Sequence, residues 1–538
     1  MSRSWAPETR RAGSGRGRSG RTRTGRPRAT PGPVRPPARW PRRVRRAGSA
    51  GASSGCASST PWLRAAGEGS AALSARGRDW DTRAVCWRAG TDIPDTMTPS
   101  PRDPYPDALR AGALLVVVFG HWIATLPRVV DGALAGTDHL LAVWETAGVL
   151  TWLVQVVPLF VFVSAAVSAD GVARRLARGG QAHWWSGRAL GLARPTVTYL
   201  AVLTALVAVS MPAGGSLHTV FNTSLTVHLW FLLMLLTVQA LLPWCLRLDA
   251  RFGLGAVGGL VLVAALLDLL RGGVTSIDTF GELGARVTAR PAGIVWLNML
   301  VVWLIPQQLG IAWTRGRVRG VGAGAALLLL GATWLAAALA SGYPVAMVGV
   351  QLAGNNMLPP TLALIGVIWL QVGAVLLCEP VARRVLAGRA PARVIAVLGA
   401  LGMPLYLWHK LAEWPAAWLG LRLGLPIDAG LPGEAGFWLG RACWIGLCLV
   451  MVAPVIAAVV RFELRRTRDV PAADGMARVL AGGLALYAGL GAALAWGAWP
   501  GAVLGLAAVG LASWTLRQRG GRAPDASGST KARPAQRP

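Results

Sequence analysis

The sequence predicts an all-α polytopic membrane protein: a core of about ten spans, a helical hairpin after it, and both termini cytoplasmic. Three observations carry this reading. Hydrophobic residues make up 53% of the 538-residue chain, and the mean hydropathy of +0.47 lies outside the soluble globular range. From Met97 onward twelve apolar stretches recur, close to the ~20 residues that cross a ~30 Å hydrocarbon core at 1.5 Å per residue. Arginine alternates between the intervening segments. Segments 170–188, 247–252, 314–320, 379–393 and 461–477 carry 4, 2, 3, 4 and 4 arginines, whereas 127–147, 211–227, 271–291, 341–357 and 413–435 carry 1, 0, 3, 0 and 1. Basic residues stay inside, so the amino terminus is expected in the cytoplasm, and an even number of spans returns the carboxyl terminus there.

Taken in order, residues 1–96 hold 20 arginines and 6 acidic residues, with much Gly, Ser, Ala and Pro. They lack helical or strand periodicity and are expected to stay disordered, unable to bury enough apolar surface to offset the ordering entropy. They contain no apolar core with a cleavage site, so no secretory signal is read. They form either a basic tail held near anionic lipid or a stretch ahead of the true start at Met97, the favoured expectation. The twelve stretches are 108–126, 148–169, 189–210, 228–246, 253–270, 292–313, 321–340, 358–378, 394–412, 436–460, 478–497 and 500–516. The first ten belong to a membrane domain, 97–461. Residues 478–516 read as an additional hairpin of small-residue packing around Trp499-Pro500, and 517–538 as a disordered basic tail, including Arg517, Arg519 and Arg522.

The formal charge of +30 is concentrated in the tails and the short loops, which gives no reason to expect nucleic acid. Cys56, Cys86, Cys245, Cys378, Cys443 and Cys448 show no metal-ligand spacing, so no metal is expected.

The first span is the chemically informative one. Asp107 and Arg110 open it and His121 lies inside it. Eleven positions correspond to three turns plus about 20°, so Arg110 and His121 share a face, with the imidazole about 16 Å deeper. An ionisable group at that depth faces a bundle interior or a wet cavity, and it is either a catalytic group or a packing residue bonded to a neighbouring helix. Arg110 is either a phosphate-binding group or a snorkelling anchor, and Asp107 orients it or favours the helix amino end. A neutral imidazole can act as general base or as nucleophilic carrier in acyl transfer.

The pattern D-x-L-R followed by R-x10-H on a first membrane helix resembles the acyltransferase type 3 family, membrane enzymes that modify hydroxyls of glycans, lipids and secondary metabolites. VPLFVFVSA (157–165), HLWFLLMLL (228–236), NNMLPPTLALIGVIWLQ (355–371) and MPLYLWH (403–409) are similar to the later motifs of that family, in the same order. The resemblance implies a plasma-membrane O-acyltransferase with His121 and Asp107 as catalytic residues. It implies acyl-CoA, most simply acetyl-CoA, as a donor substrate rather than a tightly bound cofactor, with Arg110, Arg188 and Arg194 on the donor. A hydroxyl-bearing acceptor would meet His228, Trp230, Tyr406, Trp408 and His409, although aromatic residues at span ends also form interfacial belts. Asn355, Asn356, Pro359 and Pro360 read as shaping residues at the start of a span, and Ser164 as a packing hydroxyl. A secondary transporter or flippase is the alternative, since twelve spans with both termini inside suit it equally; Asp268 is its clearest intramembrane carboxylate.

Overall fold

In the computed structural model the described residues are 103–211, 222, 224–270, 292–348, 356–428, 430–465, 471 and 475–517. The amino-terminal tail 1–96, Asn355 and the tail 518–538 lie outside them. Helix α1 (Pro104–Ala124) starts at Asp103, whose carboxylate accepts from the Tyr105 amide at 3.1 Å, with Pro104 in the first turn where no amide partner is needed. It ends where Thr125 turns extended. A two-stranded antiparallel sheet follows, β1 (Thr125–Val130) and β2 (Ala133–His139), joined by Asp131 and Gly132 at φ 51° and 72°. This hairpin lies within 127–147, a segment the sequence places between spans, and Asp-Gly between apolar residues is its local signal.

The remaining long helices are α2 (Val157–Ala177), α3 (Gln181–Ser210), α4 (Trp230–Ala240), α5 (Leu242–Phe252), α6 (Gly255–Leu269), α7 (Asn298–Thr314), α8 (Gly320–Ala340) and α9 (Leu362–Leu386). After them come α10 (Arg389–Trp408), the short α11 (Glu413–Arg422), α12 (Phe437–Arg465), α13 (Met476–Trp496) and α14 (Ala502–Leu516). An apolar helical segment therefore occupies each of the twelve expected stretches, but they are not twelve straight spans. Among the described residues nine helices are long and apolar enough to cross a membrane, or ten if the bent pair counts as one. The fourth stretch bends by 48° between α4 and α5, where Pro243 opens the second arm. Helix α6 has 15 residues, about 22 Å of rise, which is short of a bilayer core. The last two stretches, together Met476–Leu516, fold back on each other at Gly497 (φ 68°) and Trp499.

Small residues let the helices touch. A Cβ at Gly331 would lie 2.8 Å from the Gly366 carbonyl oxygen, and one at Gly373 2.8 Å from that of Gly324, so α8 and α9 meet backbone to backbone. Helix α2 begins after a break at Gln155 and Val156, and Gln371 of α9 donates to the carbonyls of Trp152 (3.1 Å) and Gln155 (2.9 Å), satisfying groups the break releases. Asp268 accepts from Tyr343 Oη at 2.6 Å and from the Leu362 amide at 3.1 Å, which ties the end of α6 to the start of α9. Asn356 bonds Thr361 and the carbonyls of Pro344 and Ala346, a shaping role.

Helices α1 and α10 run side by side in the same direction, with Leu114 against Gly402. One end of the bundle carries the arginines that close α2 and α9 and open α3 and α10. The opposite end carries His121 and the carboxyl end of α10.

Candidate active site

Two polar groups of residues sit at the two ends of α1. At its amino end Arg110 lies 3.8 Å from Asp107, one turn away, and both are partly exposed. Arg188 of α3 donates to Ser168 Oγ at 2.9 Å and sits over the Trp184 ring at 5.9 Å. The charges of Arg110 and Arg175 reach Arg188 at this end. Arg194 is drawn elsewhere: Glu463 of α12 accepts from it at 2.8 Å, and Thr198 donates to the same carboxylate at 2.9 Å. A cleft of about 630 Å³, lined by Asp103, Asp107, Trp313, Arg319, Glu379 and Arg383, opens at this same end.

At the other end of α1 the groups are mostly buried, and several are linked. His121 Nδ1 lies 2.8 Å from His409 Nε2, with the rings 17° from parallel and their centroids 5.1 Å apart, the geometry of two imidazoles joined edge to edge. His409 Nδ1–H donates to the Tyr406 carbonyl at 2.7 Å, and His409 is fully buried. The His228 ring stands 5.5 Å from that of His409 and 5.6 Å from that of Tyr406. Among the described residues neither of its ring nitrogens has a side-chain partner. Tyr406 Oη donates to the His228 carbonyl, and Tyr199 Oη to that of Leu225 at 2.5 Å, which fixes the segment leading into α4. Trp408 stacks edge-on against Tyr199, and Trp230 packs on Phe231 and Trp303.

The expected aromatic belt is therefore not what Tyr406 and Trp408 form. Each is 3% exposed, because Tyr199 of α3 packs on Trp408, and His228 and Phe231 pack on Tyr406. Of the residues singled out in the sequence, His121, His228, Tyr406, Trp408 and His409 come together, with Trp230 one layer out. Arg110, Asp107 and Arg188 gather at the far end of α1, Asp107 fourteen residues or about 21 Å from His121 along the axis.

Sequence reasoning missed a second layer. Lys410 Nζ donates to both Glu413 oxygens at 2.8 Å, and Glu413 is completely buried. Thr125 Oγ1 bridges Glu413 (3.3 Å) and the His121 carbonyl (3.0 Å). Arg441, 2% exposed, donates to the carbonyls of Thr125 (2.6 Å) and Ile427 (2.9 Å). Indole nitrogens extend the network, Trp122 to the His409 carbonyl at 3.1 Å and Trp444 to the Trp122 carbonyl at 2.9 Å. One signal was available: Lys410 is one of only two lysines, and an acid follows it three positions on in an apolar stretch. Outside the spans, His139 stands opposite Thr125 across the hairpin, and burial, with the Lys410 charge nearby, pushes its imidazole down to about 4. Among the described residues no cluster of His, Cys, Asp and Glu has the arrangement of a metal site.

Apolar helices around a hydrogen-bonded imidazole pair define a multi-pass membrane protein with a polar site inside its bundle. Residues 103–460 match the family model of the type 3 acyltransferases, described as an acyltransferase domain, and the chain belongs to that family. No curated protein and no solved structure matches the chain. The family makes it a membrane acyltransferase, and the transporter reading gives way to it.

Proposed function

We propose that this protein moves an acetyl group from acetyl-CoA to a hydroxyl of a glycan, lipid or secondary metabolite, with His121 as the base at the reacting centre. The plasma membrane is the setting, and the arginine-rich end of the bundle faces the cytoplasm, where acyl-CoA is made. The observation that carries the proposal is the placement of His121: half-buried inside the bundle, hydrogen-bonded to a second imidazole, on the helix whose other end gathers Arg110 and Arg188. Guanidinium groups suit the donor's phosphates. The thioester would then extend along the Arg110–His121 face of α1.

In the step proposed, the acceptor oxygen attacks the thioester carbonyl while its proton passes to the His121 nitrogen not engaged with His409. The C–S bond breaks and the departing thiolate takes that proton, so His121 ends neutral. The buried His228 ring, beside Tyr406 and His409, supplies a polar group for the reacting oxygens. Acetyl is favoured by a cavity of about 10 Å³, lined by Leu114, Val117, Val157, Phe160, Phe231 and Tyr406. Val117 lies one turn before His121 and Tyr406 three residues before His409, so this space adjoins the imidazole pair, and it has room for about one methyl-sized group.

The test is turnover of radiolabelled acetyl-CoA by the purified full-length protein in lipid discs. Label should move to a hydroxyl acceptor or, slowly, to water, and His121→Ala should abolish it at unchanged abundance. Full turnover by His121→Ala would refute the assignment. Label retained on the protein, and lost in His121→Ala, would instead make the imidazole an acyl carrier.

A further inference from the structure

Catalytic histidines are commonly oriented by a carboxylate that accepts from the ring nitrogen not used in chemistry. Among the described residues no carboxylate bonds either His121 or His409. Glu413, the nearest buried acid of the network, is taken up by Lys410 on both oxygens and by Thr125. The partner of His121 is another imidazole, supplied by the end of α10, 288 positions along the chain.

The chain of hydrogen bonds fixes the protons. A carbonyl oxygen can only accept, so His409 Nδ1, 2.7 Å from the Tyr406 carbonyl, must carry hydrogen. A neutral His409 then presents a bare Nε2. His121 Nδ1, 2.8 Å away, must be the donor, which leaves the lone pair of His121 on Nε2. The Tyr406 carbonyl thus sets the tautomer of His409, and His409 sets that of His121. We infer that His409 is a positioning residue: a neutral hydrogen-bond acceptor that holds His121 as the Nδ1–H tautomer with its basic nitrogen turned to the reaction. The inference deepens the proposed acyl transfer and rests on it. It also gives the developing imidazolium somewhere to share charge, since the Nδ1 proton points at a second base. Lys410 stays compatible with this neutral pair because Glu413 neutralises it within 2.8 Å.

The fold keeps His409 in place independently of His121. It follows the last turn of α10, its carbonyl accepts from Trp122, and its ring is enclosed by Tyr406, His228 and Trp122. An acceptor of the right reach can therefore replace it. Glutamine places a carbonyl oxygen near the position of Nε2, and leucine fills a similar volume with no acceptor.

The experiment compares His409→Gln and His409→Leu in the full-length protein, measuring kcat and KM for acetyl-CoA, with abundance and melting temperature as controls. His409→Leu should lose on the order of 10²-fold in kcat with donor KM within about threefold of wild type, the signature of a base that is present and misoriented. His409→Gln should recover at least about tenfold of that loss. Near-wild-type kcat in His409→Leu overturns the inference, as does equal loss in both variants when both are stably folded, since that marks a packing role. The His121→Ala control separates the layers. If it keeps turnover the acyl-transfer assignment fails; if it is inactive while His409→Leu is active, only the positioning role fails.

Discussion

The two ends of α1 solve the problem of placing charge in a membrane protein in opposite ways. At the arginine end the charged groups are partly exposed, with Arg110 loosely paired to Asp107 at 3.8 Å and Arg383 set between Asp103 at 2.5 Å and Glu379 at 2.9 Å. Water and lipid headgroups can solvate whatever the protein leaves over, so each contact is worth little alone. At the histidine end most polar groups are buried and tied to a neighbour that is itself tied, as His409 is to Tyr406 and His121, and Glu413 to Lys410 and Thr125. There the removal of one partner strands another in a low-dielectric interior. One end is tolerant and, under the proposed function, would meet the charged donor; the other is intolerant.

Substitutions at the two ends test that contrast. The largest effect is expected from Glu413→Leu, which leaves Lys410 as an uncompensated buried cation. A loss of about 3–5 kcal/mol is expected, read as a fall in melting temperature and membrane abundance, and the double change Lys410→Met/Glu413→Leu should recover most of it. A double variant as unstable as the single one would show that the pair is not the unit. Next comes Phe231→Ala, which enlarges the methyl-sized cavity. The ratio of kcat/KM for butyryl-CoA over acetyl-CoA should rise by about tenfold or more, since each methylene in an apolar pocket is worth about 1–3 kcal/mol. An unchanged ratio would remove that cavity from the acyl site. Arg110→Lys at the tolerant end keeps charge and loses bidentate geometry, so donor KM should rise severalfold with kcat nearly unchanged. A collapse in kcat would erase the distinction between the ends.

The smallest effect concerns His139 on the hairpin above the histidine end. Its folded value near 4 lies below the ordinary 6.5 of an unfolded histidine. The unfolded chain therefore binds a proton that the folded chain refuses, and stability should fall as pH drops from about 6.5 towards 4. His139→Gln should flatten that part of the pH–stability profile, measured by thermal unfolding in detergent. An identical profile in the variant would place the acid sensitivity elsewhere.

Much of the fold was legible because the signal is thermodynamic and local: a stretch of about 20 apolar residues has few fates besides a membrane helix. Bends were harder. Pro243 and the short apolar run of 253–270 were visible, but whether a proline kinks or merely opens a helix depends on the neighbour that accepts the freed carbonyls. His121 was legible for the same local reason, being an ionisable residue at depth and in phase with Arg110. Its partner was not, because the 2.8 Å contact joins residues 288 positions apart and depends on the packing of α1 beside α10. Tyr406 and Trp408 misled for a related reason. Their place at the end of a span suggests an interface, and only the packing of Tyr199, His228 and Phe231 from distant parts of the chain puts them inside.

The carboxyl-terminal hairpin has a practical meaning for anyone exchanging parts between relatives. Sequence similarity to the family stops at residue 460, yet the packing does not. The turn between α13 and α14 is clasped by Asn222, whose carbonyl accepts from the Ala498 amide at 2.9 Å and whose side chain accepts from that of Trp499 at 3.0 Å. Tyr487 of α13 meets Thr237 of α4, and Gly505 of α14 sits against Leu200 of α3. Residue 222 lies six positions before His228. A transplant cut at the homology boundary would thus sever the brace of the segment that delivers His228 to the site, and the natural unit of exchange is 103–517.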